Sequence, residues 1–167
     1  MRKVIFLDLD GVLNTERWHY QASQADLHDQ YGYTFDPVAV ANLAKIIDET
    51  GAAIVISSSW KFMGLAKLKK MWMDRGLPGE IFDITPNSVS DEFLLYADLD
   101  SMELLAIRGQ EIKEWLMLHG KDVSHYVIID DMDDILPEQQ SHFVLTDPEV
   151  GISEWDAKRA IAILNRS

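Results

Sequence analysis

Five short apolar runs, each rich in Val, Ile, Leu or Phe, alternate along the chain with longer and more polar segments. The runs lie near residues 3–8, 52–57, 81–84, 126–130 and 143–146. A continuous apolar run of this length is typical of a strand that is buried on both faces of a parallel sheet. Because such strands alternate here with helical segments, we predict an α/β fold with a parallel sheet of about five strands flanked by helices.

Four helices are predicted between and after these strands. Asp36 is a suitable N-cap, Pro37 fits the first helical position, and Gly51 ends the first helix. The apolar face of this helix is expected to contain Val40, Leu43, Ala44 and Ile47. The other three helices are expected at about 61–75, from Arg108–Gly109 to the residue before Gly120, and from a Ser153–Asp156 capping box to about Leu164.

Two segments lack a clear pattern of apolar positions. Residues 15–36 are polar and aromatic and show neither helical nor strand periodicity. They are interpreted either as a small cap-like insertion over the mouth of a site or as a surface loop whose aromatic side chains pack onto the core. Residues 87–107 mix acidic and apolar side chains, so that helix and irregular structure both remain open there. We expect residues 1–167 to form a single domain.

Composition excludes several classes of chemistry. The chain has no cysteine, so it has no disulfides, thiolate nucleophile or cysteine-bound zinc. Its net charge of −13 opposes broad binding to duplex DNA, although a local basic patch remains compatible with it. The apolar run that starts at Val4 meets Asp8 too early for a signal sequence, and no stretch approaches the roughly 20 apolar residues of a membrane span. We expect a cytoplasmic protein without membrane contact; the oligomeric state stays open.

Polar side chains follow three of the five predicted strands. Asp8, Asp10 and Gly11 end the first run, Ser57–Ser59 end the second, and Asp130–Asp131 end the fourth. Because the carboxyl ends of parallel strands meet at one edge of a sheet, we expect these residues to converge. Carboxylates, hydroxyls and a cation are the groups that phosphoryl transfer requires.

These motifs resemble those of the haloacid dehalogenase (HAD) superfamily of phosphohydrolases. The run Phe6-Leu7-Asp8-Leu9-Asp10-Gly11-Val12-Leu13-Asn14 resembles its first motif, DxDG[TV]L. Further runs, at 35–37, 54–60 and 108–116, are similar to the HAD domains of Swiss Army Knife RNA-repair proteins. The resemblance covers nearly the whole chain and implies a Rossmann-like HAD fold with a small or minimal cap.

The resemblance implies a Mg²⁺-dependent phosphatase. Asp8 would attack phosphorus and form an aspartyl-phosphate, and Asp10 would act as general acid and then base. The carboxylates of Asp8 and Asp130 and the backbone carbonyl of Asp10 would bind the metal. Asp131 would either bind the metal directly or contact it through one of the other ligands. Asp134 is a weaker metal candidate, and the five histidines are expected to be structural or exposed rather than ligands.

The phosphoryl group would be held by hydroxyl and cationic side chains. Ser58 is the favoured hydroxyl, with Ser57, Ser59 and Gly11 beside it, and Ser59 is also a candidate cap for the following helix. Arg108 is the favoured cation because it leads into the helix before the last acidic motif, where members of the superfamily place this residue, and it can also bind phosphate with two hydrogen bonds. Lys61 and Lys113 are the alternatives for this role.

The substrate is expected to be a phosphoester, with a nucleotide, a nucleic-acid end and a small phosphate ester all open. Two other functions remain: a phosphotransferase, and a non-catalytic HAD-fold module that docks a partner through basic residues. The basic residues lie in one segment, at Lys61, Lys67, Lys69, Lys70 and Arg75, and are more simply interpreted as a solvated helix face. Trp18 and Trp60 are the tryptophans expected to border the site.

Overall fold

The computed structural model describes residues 1–87 and 106–167. Within these two ranges there are seven strands: β1 Arg2–Leu7, β2 His28–Asp29, β3 Gly32–Tyr33, β4 Ala53–Ile56, β5 Ile81–Ile84, β6 Val123–Asp130 and β7 Phe143–Leu145. The same residues form five α-helices, α1 Glu16–Gln24, α2 Pro37–Thr50, α3 Leu65–Asp74, α4 Ile107–His119 and α5 Glu154–Leu164. They also include 3₁₀ turns at Ser59–Met63, Gly120–Asp122 and Pro137–His142.

The five longer runs form one parallel sheet in the order β5-β4-β1-β6-β7, which confirms the predicted architecture. Leu7 at the end of β1 pairs with Ile56 of β4 on one side and Ile129 of β6 on the other. The amides that follow continue this register, because Asp8 N donates to Ile129 O at 3.1 Å. The carboxyl ends of β1, β4 and β6 are therefore level with one another, which brings their polar end residues together.

Helices cover both faces of the sheet. Residues of α2, α3 and α5 pack with Leu7 and Ile56 on one face, whereas Trp115 of α4 packs edge-to-face on Phe6 on the other. This division follows from strand geometry, since successive side chains point to opposite faces. The position of α4 matters for function because its first turn then lies beside the carboxyl edge of the sheet.

The segment 15–36 contains a helix that the sequence pattern did not predict. Thr15 caps α1 by accepting a hydrogen bond from Trp18 N at 3.1 Å. The helix buries only Ala22, so few apolar residues mark its inner face. A short antiparallel hairpin, β2–β3, follows it.

The helix predicted at 61–75 is divided in two. Ser59–Met63 form a 3₁₀ turn, and Gly64, with φ of 81°, separates this turn from α3. The other predicted helices are present, with the Asp36 cap, the Gly51 end and the Ser153 capping box as expected. The buried face of α2 is formed by Ala39, Leu43 and Ile46, and Val40 and Ile47 pack only at its border.

Most of the unassigned stretch 87–107 lies outside the described residues, which resume at Ala106. Among the described residues, no helix is long and apolar enough to cross a membrane.

Candidate active site

Three carboxylates meet at the carboxyl edge of the sheet. Asp8, Asp130 and Asp131 each offer one oxygen, and these oxygens all lie within 4.8 Å of one another. Asp8 and Asp130 are only 5% and 1% exposed, because they follow buried strands. Such a set of hard oxygen ligands fits a divalent cation such as Mg²⁺. The cluster contains three of the four residues predicted to bind metal.

Gly11 makes room for the third carboxylate. Its φ of 75° lies in the left-handed region, and a Cβ atom there would overlap the Asp131 carboxylate. Gly11 is therefore required both for the turn and for the close approach of the Asp131 side chain, which follows β6.

Thr146, which the motif search missed, links the two acidic loops. Its hydroxyl donates to Gly11 O at 2.8 Å, and its amide donates to Asp130 O at 2.9 Å. The side chain is buried. The available signal was its position directly after β7, where a fourth polar residue reaches the same edge of the sheet.

The Asp10 side chain does not belong to the carboxylate cluster; the metal contact predicted for this residue is through its backbone carbonyl. The side chain is exposed, and its Oδ1 accepts hydrogen bonds from Asn14 Nδ2 at 2.9 Å and Trp60 Nε1 at 3.0 Å. Trp60 thus contacts a predicted site residue. Trp18 instead donates to Thr34 Oγ1 at 3.3 Å, inside the 15–36 segment.

Arg108 places its guanidinium between the two buried carboxylates. Its Nη1 lies 3.6 Å from Asp8 Oδ1, and its Nε lies 3.7 Å from Asp130 Oδ2. Nη1 also donates to the Ser57 carbonyl oxygen, which ties the cation to the end of β4. Of the alternative cations, Lys113 pairs with Glu138 at 3.5 Å on the exposed surface. Lys61 pairs with Glu111.

The first turn of α4 is held against the loop that follows β6. Gly109 N donates to Asp134 O at 3.0 Å, and Gly109 O accepts from Gln139 Nε2 at 2.9 Å. A Cβ atom at Gly109 would lie 2.6 Å from Leu136 N. Gln139 is buried. Gly109 and Gln139 were not predicted, because their role depends on a contact between distant segments.

Burial is the largest influence on the pKa values of the two buried carboxylates, Asp8 and Asp130. It raises the pKa of Asp8 to about 6, although Arg108 and hydrogen bonds from Leu9 N and the Ser58 hydroxyl oppose the rise. Burial and the neighbouring charge of Asp8 raise the pKa of Asp130 to about 9. The pKa of Arg108 is raised above its ordinary value: burial lowers it, but the Asp130 and Asp8 charges outweigh burial. Bringing these carboxylates together is unfavourable until more positive charge is present.

The three serines occupy different environments. Ser58 Oγ accepts from Trp60 N at 3.3 Å and caps the 3₁₀ turn, a role that was expected of Ser59. Ser59 is exposed. Ser57 Oγ is buried and has no hydrogen-bond partner among the described residues. Of these hydroxyls, that of Ser58 lies beside Asp8, whereas Ser57 contacts Arg108 through its carbonyl oxygen.

A cavity of about 460 Å³ opens next to the carboxylates. It is lined from the sheet edge by Asp10, Gly11 and Asp131, and from α1 by residues that include His19 and Tyr20. The 15–36 segment therefore forms one wall of this cavity.

Asp36 fixes the base of this segment. Its carboxylate accepts hydrogen bonds from Thr15 Oγ1 at 2.7 Å, Arg17 Nη2 at 2.9 Å and Val38 N at 2.9 Å. One buried side chain thus caps α2 and holds the start of α1.

A parallel α/β sheet with an Asp-x-Asp-Gly loop, strand-end serines, a basic helix start and a distal acidic pair defines a HAD-type domain. The chain belongs to the family described as the HAD domain in Swiss Army Knife RNA repair proteins, whose sequence model matches residues 4–157. No curated protein shows significant similarity to the chain. Membership suggests a phosphohydrolase-type function, and HAD domains typically use a divalent metal, for which the aspartate cluster is suited.

Proposed function

We propose that the protein is a Mg²⁺-dependent phosphatase that hydrolyses a phosphate monoester through an aspartyl-phosphate on Asp8. The observation that supports this most directly is the grouping of Asp8, Asp130 and Asp131 with Arg108 at one edge of the sheet. A nucleophilic carboxylate, acidic metal ligands and a fixed cation are together what phosphoryl transfer needs.

Asp8 supplies an oxygen that forms the new bond to phosphorus as the ester P–O bond breaks. Asp10 donates its proton to the leaving oxygen and then takes a proton from the water that cleaves the aspartyl-phosphate. Arg108 neutralises the phosphoryl oxygens, and Ser58, with Ser57 beside it, donates hydrogen bonds to them. When bound by Asp8, Asp130 and Asp131, Mg²⁺ supplies further positive charge at the transferring group.

The direct test is hydrolysis of an aryl phosphate with and without Mg²⁺. Asp8→Asn is expected to abolish release of phosphate, and EDTA should do the same to the unmodified protein. Asp133→Asn is the matched control, because Asp133 is exposed and contacts only Gln140 Nε2 at 3.2 Å among the described residues. Activity without metal, or full activity in Asp8→Asn, would contradict the proposal.

For the substrate, we propose a nucleotide or a nucleic-acid end. The family description refers to RNA repair, and a groove of about 440 Å³ combines aromatic and basic side chains. The groove is lined by Gln30, Tyr31, Phe62, Met63, Lys67 and Lys70. Phe62 is 83% exposed and lies in the same 3₁₀ turn as Trp60, which contacts Asp10. Exposed aromatic rings beside lysines suit a single strand, which binds by stacking and by phosphate contacts.

The substrate proposal is tested by comparing phosphorylated oligonucleotides with the aryl phosphate. Lys67→Glu should raise KM for the oligonucleotide several-fold and leave the aryl phosphate unchanged. Lys121→Glu is the control, since Lys121 is exposed and precedes β6, far along the chain from the groove. Equal effects of both variants on the oligonucleotide would contradict a role for the groove.

The two alternative functions give different outcomes in the same assays. A phosphotransferase would yield a phosphorylated acceptor instead of free phosphate. A non-catalytic module would turn over no member of a panel of nucleotides, sugar phosphates and phosphorylated oligonucleotides.

A further inference from the structure

Lys61 is a lysine whose charge is enclosed by partners from two other parts of the fold. Its side chain is 12% exposed, and its ammonium pairs with the Glu111 carboxylate. It also donates to Thr85 Oγ1 at 3.3 Å and to Pro86 O at 3.2 Å. An ammonium has three protons to donate, so these acceptors satisfy it. The contacts join the turn after β4, the end of β5 and the first part of α4.

Glu111 brings this network to the site. It lies three residues after Arg108, about one turn further along α4, so the two side chains lie on neighbouring parts of the helix surface. The Glu111 side chain is only 10% exposed. On the opposite side, Gly109 is packed against the loop after β6. The turn that carries Arg108 is therefore held from two directions, and Lys61 supplies one of them.

Stability alone gives little reason to keep a buried pair of this kind. The cost of removing both charges from water often exceeds their attraction, and well-packed apolar replacements are commonly neutral or stabilising. Arg108, by contrast, must lie between Asp8 and Asp130, and displacement of a positioned group by about 1 Å can cost on the order of 100-fold in rate.

We propose that Lys61 and Glu111 form a positioning pair that fixes Arg108 in its catalytic place. Neither residue contacts the substrate in this arrangement, and both act through the guanidinium. The inference rests on the proposed phosphatase function and adds the requirement that the Arg108 turn be anchored to the ends of β4 and β5.

The experiment is a double-mutant cycle measured as kcat/KM on an aryl phosphate. Lys61→Met/Glu111→Leu keeps side-chain volume and should lower kcat/KM about tenfold, because the start of α4 that carries Arg108 loses its contact with the ends of β4 and β5. In an Arg108→Lys background the same pair of changes should have less than a twofold further effect. A loss of folded protein would instead lower the rate by the same factor in both backgrounds.

Two control variants accompany the cycle. Lys113→Met/Glu138→Leu removes an exposed pair between α4 and the 3₁₀ turn Pro137–His142, 52% and 58% exposed, and should leave kcat/KM unchanged. Lys61→Arg retains the charge and should recover at least a third of the activity, and thermal unfolding of each variant checks that the fold is kept.

The outcomes separate this inference from the phosphatase proposal. Additive effects of the Lys61 pair and Arg108, or unchanged activity without the pair, would overturn the positioning role while leaving an Asp8-dependent phosphatase in place. Activity that survives Asp8→Asn would instead contradict the phosphatase itself.

Discussion

Gly11 shows how one backbone position supports a side-chain cluster. It has φ of 75°, and the Asp131 carboxylate occupies the space that a Cβ atom would need. We predict that Gly11→Ala costs about 1 kcal/mol from the left-handed conformation and also weakens Mg²⁺ binding tenfold or more. Unfolding in urea and titration with Mg²⁺ measure the two effects.

Gly51 is the matched control for that substitution. It also has a left-handed φ, 66°, but nothing lies within 4 Å of its Cβ position. Gly51→Ala should therefore show the same backbone cost with unchanged affinity for Mg²⁺. If both alanine variants bind Mg²⁺ equally well, the contact with Asp131 has no part in shaping the metal site.

Asp130 gives the metal-free protein an unusual dependence on pH. Burial raises its pKa to about 9 and that of Asp8 to about 6, whereas their ordinary value is 3.8. Between pH 3.8 and about pH 9, the Asp130 carboxyl is therefore more fully protonated in the folded state than in the unfolded state. Its contribution to the free energy of unfolding is fully present below pH 3.8 and is lost as the pH rises towards 9.

We predict that Asp130→Asn weakens the dependence of the free energy of unfolding on pH. In EDTA, the free energy of unfolding of the unmodified protein should fall more steeply between about pH 6 and pH 9 than that of the variant. Urea unfolding across this range provides the measurement, and Asp133→Asn should keep the original slope. Parallel curves for the unmodified protein and Asp130→Asn would show that Asp130 titrates normally.

Arg75, directly after α3, holds the β2–β3 hairpin together with Asp74, which accepts hydrogen bonds from Gln30 and Tyr31. Arg75 Nε and Nη2 donate to the two carboxylate oxygens of Asp29 at 2.9 and 2.8 Å, and Nη2 also reaches Gly32 O at 3.2 Å. The Arg75 side chain is 5% exposed. We predict that Arg75→Met costs about 2 kcal/mol, because it removes charge-assisted hydrogen bonds from a buried site.

The comparison for Arg75 is Lys70→Met. Lys70 pairs with Asp74 at 2.6 Å, but its side chain is 66% exposed, so its removal should cost less than about 0.5 kcal/mol. Urea unfolding gives both energies, and hydrogen exchange at residues 28–33 should accelerate only in Arg75→Met. Similar losses in the two variants would indicate that the hairpin is anchored by other contacts.

Elements with an apolar period were predictable from the sequence, and those fixed by local polar contacts were not. The sheet strands reveal themselves as continuous apolar runs, and Asp36, Pro37 and Gly51 mark the limits of α2. Helix α1 begins at its Thr15 cap and buries only one residue, so its apolar positions gave a weak signal in the sequence. The break at Gly64 was hidden because the flanking residues on both sides resemble a continuous helix.

At the scale of the molecule, the site was predictable to the extent that it follows from topology. Parallel strands bring Asp8, Ser58 and Asp130 to one edge, and the sequence predicted this convergence, whereas their catalytic roles came from the family resemblance. The supporting contacts of Thr146, Gln139 and the Lys61–Glu111 pair join segments far apart in the chain. No local pattern encodes such contacts, and they become visible only when the fold is known.

From the net charge of −13 and the buried carboxylates, we predict that a bound divalent cation stabilises the folded protein. Mg²⁺ that binds only the folded state stabilises it by about 2.7 kcal/mol at 100 times its dissociation constant. The midpoint of thermal unfolding should therefore rise with MgCl₂ beyond the rise in NaCl of equal ionic strength. Asp130→Asn should lose most of this difference, and Asp133→Asn should keep it. If NaCl reproduces the whole effect, the cation only screens surface charge and the aspartates hold no metal.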